Sequence, residues 1–144
     1  MGNGRNTIYL AKTGFDAEGV DISEHAVKTA LDRAKSVGIN ISAVVADIEA
    51  GDYIIEKEAY DVIICFNYLH RPLMPHIQDG LKTSGVVVYQ TYTVDQVQFG
   101  KPSNPDFLLG YNELLETFGG LRCLRYHEGI IDNKAVAGII AQKV

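Results

Sequence analysis

Five consecutive apolar residues, Val62-Ile63-Ile64-Cys65-Phe66, restrict the fold more than any other feature of this chain. A strand alternates its side chains between two faces, so an unbroken apolar run puts apolar groups on both. Such a strand belongs inside a sheet covered on both sides, the usual condition of a parallel sheet flanked by helices. The rest of the pattern agrees. A short helix is predicted over Asn6 to Lys12, stopped by Gly14, then a strand over Ala17 to Ile22. Ser23 caps a helix to about Val37, with Ala26, Val27, Ala30, Leu31 and Ala34 as its apolar stripe. Strands follow at Ile41 to Val45 and Tyr60 to Phe66, separated by the poorly patterned stretch Glu49 to Ala59. A helix over Pro72 to Leu81 points Leu73, Ile77 and Leu81 inward, and Thr83-Ser84-Gly85 turns into a strand over Val86 to Thr91. A polar loop, Thr93 to Asp106, leads to a helix over Tyr111 to Phe118. Two last strands, Leu121 to Ile131 and Ala135 to Lys143, flank the hairpin signal Asp132-Asn133. The alternation predicts an α/β protein whose sheet is mostly parallel and closes with an antiparallel hairpin. With no repeat, linker or low-complexity tract, residues 1–144 read as a single domain.

Charge narrows the partners. The net charge of −5 argues against a nucleic-acid backbone, which needs a basic surface. No apolar run approaches a membrane span, and the polar, glycine-rich start has no signal-peptide character. Cys65 and Cys123 both fall in apolar strand-like runs and read as buried, reduced thiols. A cytoplasmic protein fits this usage. No residue is assigned to a metal.

Four candidate site segments fall where strands end, the place where open parallel sheets bind ligands. The first is Gly2-Asn3-Gly4. Glycines let the backbone approach a ligand, and the helix that follows offers unpaired N–H groups to an anion; alone, the same residues fit a flexible tail. The second is Asp21, 17 residues after Gly4, with Ile22 beside it. A carboxylate there can accept from both hydroxyls of a ribose, or it can simply start a helix. Glycine turn, helix, strand and acid together make the back half of a nucleotide-binding βαβ unit, and the strand that should feed the turn is absent. The third segment is Asp47-Ile48, an acceptor for an exocyclic amine with an apolar wall, or a turn beside Gly51. The fourth is Phe66-Asn67-Tyr68-Leu69-His70-Arg71-Pro72, a polar and aromatic cluster or a solvated loop, with His70 as base or as plain surface histidine.

In this order the residues resemble the class I S-adenosylmethionine-dependent methyltransferases. Phe66 to Pro72, Gly80-Leu81-Lys82-Thr83-Ser84-Gly85 and Val88-Tyr89-Gln90-Thr91 look like that family's fourth-strand, post-helix and fifth-strand motifs. Asn104-Pro105-Asp106-Phe107-Leu108-Leu109 and Glu113-Leu114-Leu115 look like the small bacterial branch related to tellurite-resistance methyltransferases. A nicotinamide-binding domain matches less well, because Thr7 stands where its third glycine should be. The resemblance implies a Rossmann-like sheet and S-adenosylmethionine as cofactor. It implies Gly2, Asn3 and Gly4 at the glycine motif, Asp21 at the ribose, Asp47 and Ile48 at the adenine, and Phe66 and Asn67 beside the methionine part, with Ile22 and Ile48 read from the residues as apolar walls for the flat base. It further implies transfer of a methyl group to a small-molecule acceptor, with His70 as the first candidate base and Tyr68 and Tyr92 lining the acceptor pocket. Arg71 would steer an anionic acceptor or lie on the surface.

Relative to that family the fold is expected to be N-terminally truncated, lacking the upstream helix and the central first strand. Removing a central strand opens a gap of roughly 10 Å at a strand spacing of about 4.8 Å. Each backbone group left unpaired in the core costs about 1–3 kcal/mol. Three repairs are expected as alternatives: closure of the two flanking strands, pairing with a partner chain, or exchange between copies. The expected outcome is a homo-oligomer held through exposed sheet edges. The alternative function is a non-catalytic methyltransferase-fold domain that self-associates.

Overall fold

The computed structural model describes residues 1–144, which divide into two compact units, 1–54 and 55–144. Unit 1 contains α1 (Arg5–Lys12), β1 (Glu18–Asp21), α2 (Glu24–Ser36) and β2 (Ser42–Val45). β1 and β2 pair in parallel, with Asp21 opposite Val45. α1 starts without a side-chain cap: Gly4 sits at the N-cap with φ 78°. A Cβ at residue 4 would lie 2.6 Å from the Ala30 Cβ, so glycine is required there both by the backbone and by the approach to α2. α2 begins where the sequence says it should, with the Ser23 hydroxyl accepting from the Ala26 amide at 3.2 Å. Its buried stripe is Val27, Ala30 and Ala34. Leu31, expected in that stripe, is 41% exposed, because the inward face is narrower than the apolar spacing suggests.

Unit 2 contains β3 (Tyr60–Phe66), α3 (Met74–Gly80), β4 (Leu81–Tyr92), α4 (Glu113–Thr117), β5 (Arg122–Ile131) and β6 (Lys134–Gln142). Its strands run in the order β3-β4-β6-β5, parallel between β3 and β4 and antiparallel on both sides of β6. The closing hairpin turns on Asp132 and Asn133, both at positive φ, the turn whose twist matches its strands. α3 and α4 cover one sheet face, where Met74, Ile77, Leu81, Val87, Tyr89, Leu114, Phe118 and Ile139 form the core. The Tyr89 and Phe118 rings meet at 5.9 Å, tilted by 46°.

Several expectations are corrected here. The helix over Pro72 to Leu81 is a 3₁₀ turn, Arg71–Leu73, followed by α3, and Leu81 already belongs to β4. Ser84 does turn, at φ 69°, but as a bulge inside the long strand β4; a Cβ on Gly85 would meet two carbonyl oxygens at 2.9 Å. The Thr93 to Asp106 loop contains a 3₁₀ turn, Val94–Gln98, and Pro105–Phe107 forms another. α4 starts at Glu113 because Asn112 before it is left-handed, at φ 61°. Cys123 is exposed on the edge strand β5, whereas Cys65 is half-buried.

The largest correction concerns β3. It is an edge strand, paired only with β4, and Phe66 is 38% exposed. An apolar run reports what side chains need and not how many strands lie alongside. β1 likewise pairs only with β2 in its own two-stranded sheet.

Candidate functional site

In unit 1 the glycine turn folds back onto the end of β1. Asp21 Oδ2 accepts from the Gly2 amide at 2.8 Å and from the Met1 ammonium at 3.1 Å, while Oδ1 accepts from the Ser23 amide at 3.0 Å. The same ammonium donates to the Val20 carbonyl at 2.9 Å. Partial burial works to raise the Asp21 pKa, but the amides of Ser23 and Gly2 and the ammonium outweigh it and hold the carboxyl below its ordinary value. Gly2 is therefore bonded to Asp21, and Asn3 and Gly4 follow it in the same turn, where the Gly4 amide donates to the Met1 carbonyl at 3.2 Å.

Asp47 lies at the same end of this small sheet. The Ala46 amide donates to the Asp21 carbonyl at 3.0 Å, which joins the two strand ends directly. Asp47 Oδ1 accepts from the Glu49 and Ala50 amides at 3.0 and 3.2 Å, so the turn-forming role is real. Its other oxygen has no protein donor. Ile48 is half-buried, and Ile22 is 66% exposed beside Asp21.

In unit 2 the segment after β3 is held from behind. Asn67 is left-handed, at φ 55°, and its amide donates to the Gln90 carbonyl at 2.9 Å. The Tyr89 hydroxyl, on β4, donates to the Tyr68 carbonyl at 2.7 Å, and the Cys65 thiol reaches the same oxygen at 3.7 Å. Burial pushes the Cys65 thiol up to about 11 and raises Tyr89 as well, so both stay protonated and act as donors. Phe66 and Asn67 face solvent, Tyr68 and His70 are half-buried, and the His70 carbonyl accepts from the Leu73 amide in the following 3₁₀ turn. Tyr92, half-buried at the end of β4, gives its carbonyl to the Leu109 amide.

Sequence reasoning missed the strongest electrostatic feature here. Arg71 Nε and Nη2 donate to the two Glu113 carboxylate oxygens at 2.5 and 3.0 Å, and Nη1 and Nη2 reach the Asp106 and Leu108 carbonyls at 3.3 and 3.0 Å. Glu113 also accepts from the Gly110 amide at 2.7 Å. The hydrogen bonds from Arg71 hold Glu113 below the ordinary glutamate range and push Arg71 up. Arg71 lies on the surface, as one of its two readings had it, and its guanidinium is committed to fastening residues 106–113 beside the β3 end. The partners are 42 positions apart, so nothing local announced the pair.

Comparison with known proteins identifies the family. The profile described as Methyltransferase domain matches residues 1–85. The chain is 28% identical over 137 residues to a protein named probable S-adenosyl-L-methionine-dependent methyltransferase TehB from Haemophilus influenzae, a match covering 90% of this chain and 46% of that protein. The crystal structure of TehB from Haemophilus influenzae superposes with a TM-score of 0.81 at 23% identity, over 99% of this chain and 55% of that one. The [4+2]-cyclase SpnF superposes with a TM-score of 0.76 at 15% identity, over 98% and 71%. The chain spans about half the length of the TehB relatives it matches. The profile match and the shared α/β architecture show that this chain belongs to the class I methyltransferase domain family.

Proposed function

We propose that the chain is an S-adenosylmethionine-dependent methyltransferase acting on a small-molecule acceptor, with residues 1–144 working as one methyltransferase-like domain. The observation that carries this reading is the glycine turn hydrogen-bonded to Asp21, with Asp47 following the neighbouring strand end. On this reading Asp21 accepts from ribose hydroxyls, the free oxygen of Asp47 accepts from the adenine amine, and Ile22 and Ile48 flank the base. Gly2, Asn3 and Gly4 bring backbone close to the ligand.

The donor set fits an adenosyl group. Asp47 keeps one unpartnered oxygen, and Ile22 presents apolar surface beside the ribose acid. Asp21 Oδ2 already has two donors, so a ribose diol contacting both oxygens displaces one of them, and the Met1 ammonium is the longer bond. Phe66 and Asn67 are assigned to the methionine part of the cofactor, and Tyr68 and Tyr92 to the acceptor pocket.

When bound, S-adenosylmethionine supplies a sulfonium methyl group, whose leaving group is a neutral thioether. The chain's own work is then alignment and exclusion of water, which well-ordered sites turn into large rate gains. The Tyr89 and Gln90 bonds that fix the 67–70 backbone serve that alignment. His70 takes the acceptor's proton where the acceptor carries one. No helix of the chain is long and apolar enough to cross a membrane.

A second reading rests on β3, which is paired on one side only within its sheet. An apolar strand with a free edge is a template for another strand, which favours self-association as a homo-oligomer and, in its extreme form, a non-catalytic domain. Calorimetric titration with S-adenosylmethionine separates the readings. Saturable binding at micromolar concentration, lost in Asp21→Ala, supports the enzyme; no heat into the millimolar range supports the alternative. Light scattering at micromolar protein tests the oligomer, and a compact monomer removes it.

A further inference from the structure

A groove of about 250 Å³ runs between α1 and α2 in unit 1, lined by Arg5, Ile8, Tyr9, Lys12, Arg33 and Val37. Residues 5, 8, 9 and 12 share one face of α1, Arg33 lies in the last turn of α2, and Val37 caps that helix. The chain is acidic, with 18 carboxylates against 13 Lys and Arg, yet α1 carries no carboxylate at all. The ion pairs of the molecule use Met1, Lys57, Arg71 and Lys82, so none of the three groove cations has an acidic partner.

The local structure explains two of the three. Lys12 and Arg33 lie in the last turns of their helices, where the dipole favours cations. Arg5 lies in the first turn of α1, where a cation is unfavourable and no acid offsets it. Tyr9 and Val37 line the same groove at 66% and 49% exposure, an aromatic and an apolar surface left open to water beside three positive charges.

We propose that this groove binds a soluble polyphosphorylated small molecule, with Arg5, Lys12 and Arg33 on the phosphates and Tyr9 and Val37 against its non-phosphate part. Guanidinium groups match phosphate oxygens in a bidentate fork, and Arg5 and Lys12 are spread over about 10 Å of helix axis. That spread suits a chain of phosphates better than a single one. The groove's lining shares no residue with the segments assigned to the adenosyl group, so the proposal stands or falls independently of the methyltransferase reading.

The probe is inorganic tripolyphosphate, which has no adenosine and so does not compete for an adenosyl site. Titrated calorimetrically into the full chain, it is expected to bind at one saturable site whose affinity falls as salt rises. Arg5→Gln and Arg33→Gln should each weaken binding about tenfold, as for the loss of one charge-assisted contact, while Lys134→Gln in unit 2 leaves it unchanged. Amide resonances of Tyr9 and Val37 should shift during the titration. Absence of saturable binding, equal affinity in the Arg5→Gln/Arg33→Gln double variant, or binding only to phosphatidylserine vesicles would each overturn the proposal.

Discussion

Breaking the Arg71–Glu113 pair tests how the loop beside the β3 end is held. Arg71→Leu removes two bonds to a carboxylate and two to carbonyls. The side chains of Arg71 and Glu113 are 45% and 21% exposed, so solvent screens the pair, and its worth is about 1 kcal/mol, not the larger cost of breaking a buried pair. Leu108 is only 3% exposed, and leaving its carbonyl without a donor adds about 1 kcal/mol. The Asp106 bond, at 3.3 Å on an exposed residue, adds little. The expected loss is about 2 kcal/mol, or a fall in Tm of roughly 4–8 °C. A cycle of Arg71→Leu, Glu113→Gln and the double variant, followed by urea unfolding at neutral pH, should give a coupling of about 1 kcal/mol. Glu113 is held below its ordinary value of 4.5, so its contribution is fully present above that value and is lost as pH falls through the lower folded value. Additive single effects, or a coupling that does not shrink with acid below 4.5, would refute the assignment.

Three further outcomes are expected. Gly4→Ala combines a left-handed backbone with a Cβ 2.6 Å from Ala30, and should cost about 1–3 kcal/mol in denaturant unfolding, whereas Gly14→Ala should cost only the backbone part. Tyr89→Phe leaves the Tyr68 carbonyl only the long Cys65 thiol contact and should cost about 1 kcal/mol while speeding hydrogen exchange at residues 67–70; unchanged exchange would separate Tyr89 from that segment. Iodoacetamide should modify exposed Cys123 and spare Cys65, whose thiol burial pushes up to about 11; mass-mapped modification of Cys65 in native protein would contradict its packing.

The sequence marked features whose causes are local. Ser23 caps α2 with its own hydroxyl, Asp132-Asn133 turn the hairpin at positive φ, and the bounds of β3 coincide with the strand predicted over Tyr60 to Phe66. Errors arose where a signal has two structural outcomes. Ser84-Gly85 is a turn signal, and here it turns inside a strand without ending it. Phe66 and Cys123 look like core residues by composition, but β3 and β5 are the two edges of their sheet, and edge position depends on which strands are present. Asp21 and Asp47 were legible because each lies at a strand end that the pattern had already located, and the glycine turn because glycines directly precede a helix. The Arg71–Glu113 pair went unseen because the two residues lie on different elements, and the groove between α1 and α2 went unseen because it forms only when two helices pack.

The central claim is that the ends of β1 and β2 receive an adenosyl group. Isotope-labelled protein titrated with S-adenosylmethionine, and followed by amide correlation spectra, puts that claim to its most direct test. The account predicts saturable shifts at Gly2, Gly4, Ile22 and Ile48, absent in Asp21→Ala. Shifts confined to other residues, or none up to millimolar ligand, would contradict it.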